Sequence, residues 1–199
     1  MNAPNPRTSR NRWMLLLIAS LSLIPFLLAW VYASHPELIG RRSNYGHLID
    51  PALPIDYARL LGPPDGSGVQ AEIKGRWVLL QVETNGDCGD ACRQSLHATH
   101  QIRLMLNKDL PRVRRLVIIG NQGSGPVLGD RPDDPDLLRA QVDADRTREL
   151  THVIGGDGSD GALILLDPFG NAMMWYPPGF DPYGVLKDLK HLLRTSQIG

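Results

Sequence analysis

Residues 13–32 read WMLLLIASLSLIPFLLAWVY and hold no charged side chain. In hydrocarbon every backbone N–H and C=O must find its partner within the segment, so a run of this kind crosses a bilayer as a helix. At 1.5 Å per residue it reaches about 30 Å, the thickness of the hydrocarbon layer. Trp13, Trp30 and Tyr32 stand at its two ends, where amphipathic rings settle at headgroup level. Pro25 falls inside it, a position that membrane helices tolerate. Arg7, Arg10 and Arg12 precede the run and no acid does, which predicts a cytoplasmic N-terminus and export of everything beyond the helix. The alternative is a cleaved signal ending at Val31-Tyr32-Ala33, although apolar cores of signals usually run about 7–15 residues. The expected layout is a cytoplasmic tail over residues 1–12, a transmembrane anchor over 13–32, an extended tether over 33–66 and a folded periplasmic domain over 67–199. The anchor is expected in the inner (cytoplasmic) membrane.

Charge narrows the partners. The chain has 21 Lys and Arg against 21 Asp and Glu; the first 32 residues contain three of the arginines and no acid, so the exported part has 18 against 21, a net of −3. It has no basic stripe and no nucleic-acid motif, which excludes a nucleic-acid partner. The tether contains Pro36, Pro51, Pro54, Pro63 and Pro64. Proline breaks helices and sheet ladders, so this part is expected to run extended over the domain, with SNYGHLIDPALP docked on it.

Beyond the tether the hydrophobic pattern predicts a short strand at residues 69–73 and a buried strand at 76–83. A helix over 91–107 follows, then a strand over 112–120 and a weak helix over 134–150, broken near Asp143. A strand over 162–167 pairs back with residues 172–176, and a helix over 181–195 closes the chain. Ala91, Leu96, Ile102, Met105 and Leu106 form the expected apolar face of the first helix. The order β-β-α-β-α-β-β-α predicts an α/β domain of thioredoxin-like layout: three layers around a central mixed sheet, preceded by one transmembrane helix.

Both cysteines of the chain, Cys88 and Cys92, lie in the loop VETNGDCGDACRQSL between the first buried strand and the first helix. If the helix begins near Asp90, its dipole and free N–H groups favour a thiolate there. Asp87 and Asp90 oppose this, because negative charge raises a thiol pKa, unless Asp90 serves as an N-cap. The spacing leaves three chemistries open: a pair of soft ligands for Cu(I), a redox pair, or a structural disulfide that only pins the helix. Structural zinc needs four ligands and there is no second cysteine pair.

C-G-D-A-C after LLQVETNGD, on a singly anchored exported domain, resembles the Sco/SenC family, whose loop is typically C-P-D-x-C. Asp90 matches its aspartate. GRWVLLQV resembles the strand that leads into the loop, and LILLDPFGN the late strand and its D-P-x-G turn. The resemblance spans residues 69–193. It implies a membrane-anchored role in cytochrome c oxidase biogenesis, binding Cu(I) or exchanging thiol and disulfide through Cys88 and Cys92. The partner would be an oxidase subunit or another assembly factor. Gly89 stands where the family usually has proline, and Arg93 where a second proline is common. Ser159 stands about where the family's third copper ligand, a histidine, is expected. The nearest histidine is His152, so the candidate metal ligands are Cys88, Cys92 and His152. Thioredoxin-type oxidoreductases carry a cis-proline just before this strand, and no proline occurs between Pro135 and Pro168. A general periplasmic thiol-disulfide oxidoreductase and a non-catalytic interaction domain with a Cys88–Cys92 staple are the alternatives.

His97 and His100, three apart on the cysteine helix, read as surface histidines before copper ligands. Met173 and Met174 read as core residues before thioether ligands. GNQGSG at residues 120–125 reads as a turn, since it lacks the glycine order of a nucleotide-binding loop.

Overall fold

The computed structural model describes residues 6–35, 44–62, 68–84, 88–120, 134–152, 154, 160–196 and 198. It divides into two units, Met1–Ser43 and Asn44–Gly199. The first holds a single helix, α1 (Pro6–Ser34), with Pro25 inside it. Its Arg12–Ser34 stretch has a mean hydropathy of 2.4 and is long and apolar enough to cross a membrane.

The second unit runs β1 (His47–Pro54), α2 (Tyr57–Leu61), α3 (Val69–Ile73), β2 (Trp77–Glu83) and α4 (Asp90–Leu104). A 3-10 helix (Asn107–Arg112) leads into β3 (Val113–Gly120), β4 (Leu137–Val142) and α5 (Ala144–His152). The chain closes with β5 (Leu163–Leu166), β6 (Asn171–Tyr176) and α6 (Pro182–Thr195). The strands form one six-stranded mixed sheet in the order β1-β6-β5-β2-β3-β4. β2 is central: it runs parallel to β3, with Leu80 beside Leu116, and antiparallel to β5, with Leu80 beside Ile164. β4 continues the parallel half, and the β5–β6 hairpin with β1 forms the antiparallel half.

Alternation along the central strands builds a core on each face. Val78, Leu80 and Val82 of β2 join Leu116 and Ile118 of β3 on the face covered by α2, α3 and α5. Trp77 and Leu79 meet Ile102 of α4 and Val185 and Leu189 of α6 on the other. The three-layer thioredoxin-like architecture expected from the pattern is therefore present.

Three local expectations change. Residues 69–73 were expected as a strand and form α3. Val69, Ala71 and Ile73 fit a period of two, but Val69 and Ile73 also fit one helical turn and both are buried. Five residues are too few for periodicity to separate the alternatives. The weak helix expected over 134–150 is a strand and a helix. Leu137–Val142 pairs with β3, and Asp143 then turns the chain, its Oδ1 accepting the Arg146 N–H at 2.9 Å. The break expected near Asp143 is real, but only its C-terminal side is helical. Finally, the segment expected to lie as a tether up to residue 66 supplies the edge strand β1 and the short α2, and the compact unit begins at Asn44. His47 and Leu48 pair with Trp175 and Met174, and the register shifts before Leu53.

β1 is tied in by Asp188 of α6. Its buried carboxylate accepts the backbone N–H groups of Tyr45 (2.8 Å) and Gly46 (3.0 Å) and the hydroxyl of Tyr176 (3.1 Å). At its N-terminus α6 is capped by Asp181, which accepts from the N–H groups of Tyr183 and Gly184. Beyond Gly120 the GNQGSG turn lies outside the described residues.

Candidate functional site

β2 carries the chain to Thr84 at the C-terminal end of the parallel strands, the end where α/β sheets present their ligands. Cys88 and Cys92 follow across residues 85–87, and α4 begins between them. Gly89 is the N-cap, with no side-chain cap bond, and Asp90 is the first helical residue. The N-cap role open to Asp90 thus falls to Gly89. Cys88 and Cys92 are joined as a disulfide, with their Cα atoms 5.2 Å apart. Cys92 is 1% exposed and Cys88 8%. They pack with Leu96, Val117, Ile119 and Leu137.

Arg93 closes the loop from outside. Its guanidinium donates to the Cys88 carbonyl and pairs with Asp90. The negative charge that opposes a thiolate at this helix end is thereby balanced three residues away. From inside, α4 is held by Arg115 of β3, which is 1% exposed. Its Nη1 donates to both carboxylate oxygens of Asp134 (2.9 and 2.7 Å), its Nη2 to the Leu96 carbonyl (2.8 Å) and its Nε to Thr99 Oγ1 (3.2 Å). Burial pulls the Arg115 guanidinium below its usual pKa, and Asp134 pulls it back.

A second polar cluster joins the end of β2 to the segment that enters β5. Thr84 donates through both its N–H (2.9 Å) and its hydroxyl (2.8 Å) to Asp160 Oδ1. Glu83, 1% exposed, accepts the Gly161 N–H at 3.2 Å through Oε1. Its other oxygen is buried with no hydrogen-bond partner among the described residues. Burial pushes the Glu83 carboxyl up to about 8; the Gly161 N–H works against that shift and the Asp160 charge adds to it. Gly161 has φ +81°, and a Cβ there would lie 2.9 Å from the carbonyl carbon and oxygen of Ala91. A residue inside the cysteine loop therefore touches the β5 lead-in backbone directly, and only glycine fits at 161.

The other candidate ligands lie elsewhere. His152 is exposed at the end of α5, whose buried Leu150 belongs to the opposite face of the sheet from the cysteines. Among the described residues no group of three or more His, Cys, Asp or Glu is placed to hold a metal, and Ser159 lies outside them. His97 is exposed and bonded to Gln101 at 2.9 Å, and His100 lies 3.5 Å from Asp134. Met174 is buried beside Tyr176, whose hydroxyl donates to its sulfur at 3.0 Å. This is the α6 side of the core, and the cysteines are not part of it. The donor set assembled is two sulfurs. Once reduced, two thiolates suit soft Cu(I), but a third ligand is not assembled with them among the described residues.

Glu83, Asp160, Gly161 and Arg93 had no assigned role in the sequence. The one available signal was Glu83 itself, an acid ending an otherwise apolar strand.

The fold and this site define a thioredoxin-like domain with its cysteine pair at the strand–helix junction, on a chain with a candidate membrane anchor. Residues 77–196 match the family model described as transmembrane-like, thioredoxin-like, C-terminal domain, and the chain belongs to that family. Among solved structures it is similar in fold to the apo Sco1 protein from Thermus thermophilus (20% identity, 77% of this chain and 99% of that one, TM-score 0.55). It is also similar to copper-bound yeast Sco1 (16% identity, 79% and 96%, TM-score 0.51). Copper-bound ScoI from Arabidopsis thaliana is a third (14% identity, 64% and 89%, TM-score 0.50). No curated protein matches the sequence.

Proposed function

We propose that this is a Sco-like protein of the inner membrane whose periplasmic domain acts in cytochrome c oxidase biogenesis by exchanging thiol and disulfide through Cys88 and Cys92. The observation that carries this reading is the disulfide itself: it opens α4 beside a glycine backbone at 161. Reduced, the pair delivers two electrons. The Cys88 thiolate, the more exposed of the two, attacks a partner disulfide. One partner sulfur leaves as a thiolate and takes up a proton, and Cys88 is held in a mixed disulfide. The Cys92 thiolate then attacks the Cys88 sulfur, reforming the Cys88–Cys92 bond and releasing the second partner sulfur. The partner is reduced and the pair oxidised. A partner's copper-site cysteines are the substrate suited to this role, since they must be reduced before they can take the metal.

A second reading is favoured by the softness of the donors. The reduced pair would carry Cu(I) as cargo on two sulfurs, with the third position left to the partner.

The test is trapping and titration on the full chain. A Cys92→Ser variant cannot resolve a mixed disulfide, so it should accumulate a covalent adduct with an oxidised two-cysteine copper-site protein, while Cys88→Ser should not. Cu(I) binding at 1:1 by the reduced wild type, lost in the double serine variant, supports the cargo reading. Absence of both adduct and Cu(I) binding leaves only a structural staple.

A further inference from the structure

The exposed side of α6 carries Tyr183, Lys187, Lys190 and Arg194, at spacings that place them on one helical stripe. The stripe is one wall of a groove of about 550 Å³; Lys108 of the 3-10 helix stands on the other wall, and Leu106 lines it between them. Asp109 also reaches this groove, but its carboxylate faces Arg112 at 3.3 Å. Among the described residues none of Lys108, Lys187, Lys190 and Arg194 forms an ion pair. Lys187 lies 5.3 Å from the centre of the Tyr45 ring, and Tyr183 is 72% exposed. The one acid of α6 past its cap, Asp188, faces inward and is occupied by β1.

Four cations around one groove, in a domain of net negative charge, leave a concentrated field that the fold does not use. Their long side chains can meet the repeat of an extended chain, although only one of the two steps matches it closely. Along α6 the step from Lys187 to Lys190 is about 4.5 Å and from Lys190 to Arg194 about 6 Å. Same-face side chains of an extended strand recur every 6.6 Å or so. The concave shape favours an inserted segment over a flat anionic surface, which would meet protruding cations instead. We propose that this groove docks an extended acidic segment of a partner protein, with carboxylates against Lys187, Lys190 and Arg194 and an apolar side chain against the exposed Tyr183 ring. The inference is independent of the cysteine chemistry.

The probe is a fluorescein-labelled octapeptide of alternating Glu and Leu, followed by anisotropy on the full chain in phosphatidylcholine nanodiscs, with empty discs as blank. Binding is expected, weakened about tenfold or more by Lys187→Glu/Lys190→Glu and several-fold at high salt. The same peptide with Gln for Glu should bind far more weakly, and Cys88→Ser/Cys92→Ser should leave binding unchanged. Both lysines are exposed and form no ion pair among the described residues, so thermal melts of the reversal variant should differ from the wild type only by the lost Lys187–Tyr45 contact. Equal binding of the Glu and Gln peptides, or indifference to charge reversal, overturns the proposal. So does a variant-sensitive association with phosphatidylglycerol vesicles that the acidic peptide neither shares nor displaces, which would assign the groove to lipid.

Discussion

Glu83 is a carboxyl with one oxygen bonded and one buried with no partner among the described residues, and its pKa is pushed up to about 8. Unfolded, it titrates near 4.3. Between those values the native chain keeps a proton that the unfolded chain has lost. Stability therefore falls as pH rises through this window and levels off above pH 8. Glu83→Gln keeps an acceptor for the Gly161 N–H and has no charge to bury. Thermal melts from pH 5 to 9 should show the wild type losing stability with pH and the variant losing less. At pH 9 the variant should be the more stable by on the order of 1–3 kcal/mol. Parallel curves would remove Glu83 as the source. Gly89 makes the opposite point: its φ is −64°, a Cβ there would meet nothing within 4 Å, and proline adopts that φ unstrained. Gly89→Pro should stabilise by about 0.4–1 kcal/mol, chiefly by restricting the unfolded chain, read as a higher urea midpoint at unchanged slope.

Among the elements, β2, β3, β5 and α6 were legible because each combines a clear apolar pattern with turn or cap residues at its ends. The cysteine loop was legible for a chemical reason: two cysteines in a chain with no others, placed after the first buried strand. α3 was not, since a five-residue segment satisfies both periods. β4 was not, because LLRAQV holds good helix formers and becomes a strand only through its pairing with β3, a contact distant in sequence. α4 was read for its apolar face, yet its inner side also carries Ser95, Thr99 and Arg103, while Ala91 is exposed. Arg115 accounts for Thr99, whose Oγ1 accepts its Nε, while Arg103 pairs instead with Asp136 and donates to the Val113 carbonyl. Arg115→Ala should destabilise the domain by about 3–5 kcal/mol, since it strands Asp134 and the Leu96 carbonyl. Hydrogen exchange should localise the loosening to α4. A loss below about 1 kcal/mol would show that the network is dispensable.

For the molecule as a whole, the anchor and the sheet are encoded differently. Residues 13–32 announce a candidate membrane helix by composition alone, whereas β1 is tied in by Asp188 from a proline-rich segment with little pattern of its own. Asp188→Ala should leave the Tyr45 and Gly46 N–H groups unpaired and the Tyr176 hydroxyl with only the Met174 sulfur, costing about 1–3 kcal/mol. β1 amides should then exchange faster than those of β2 and β3; uniform exchange across the sheet would contradict a local tie. Ser159, where the family resemblance asks for a histidine, lies outside the described residues.

We propose that Cys88–Cys92 is a working dithiol rather than a staple. The most direct test is its reduction potential, measured on the full chain by equilibration with defined thiol–disulfide buffers. The account predicts a value within reach of biological thiol couples, between about −300 and −180 mV. A potential well below about −300 mV, together with no change in partner thiol state on Cys88→Ser, would contradict it.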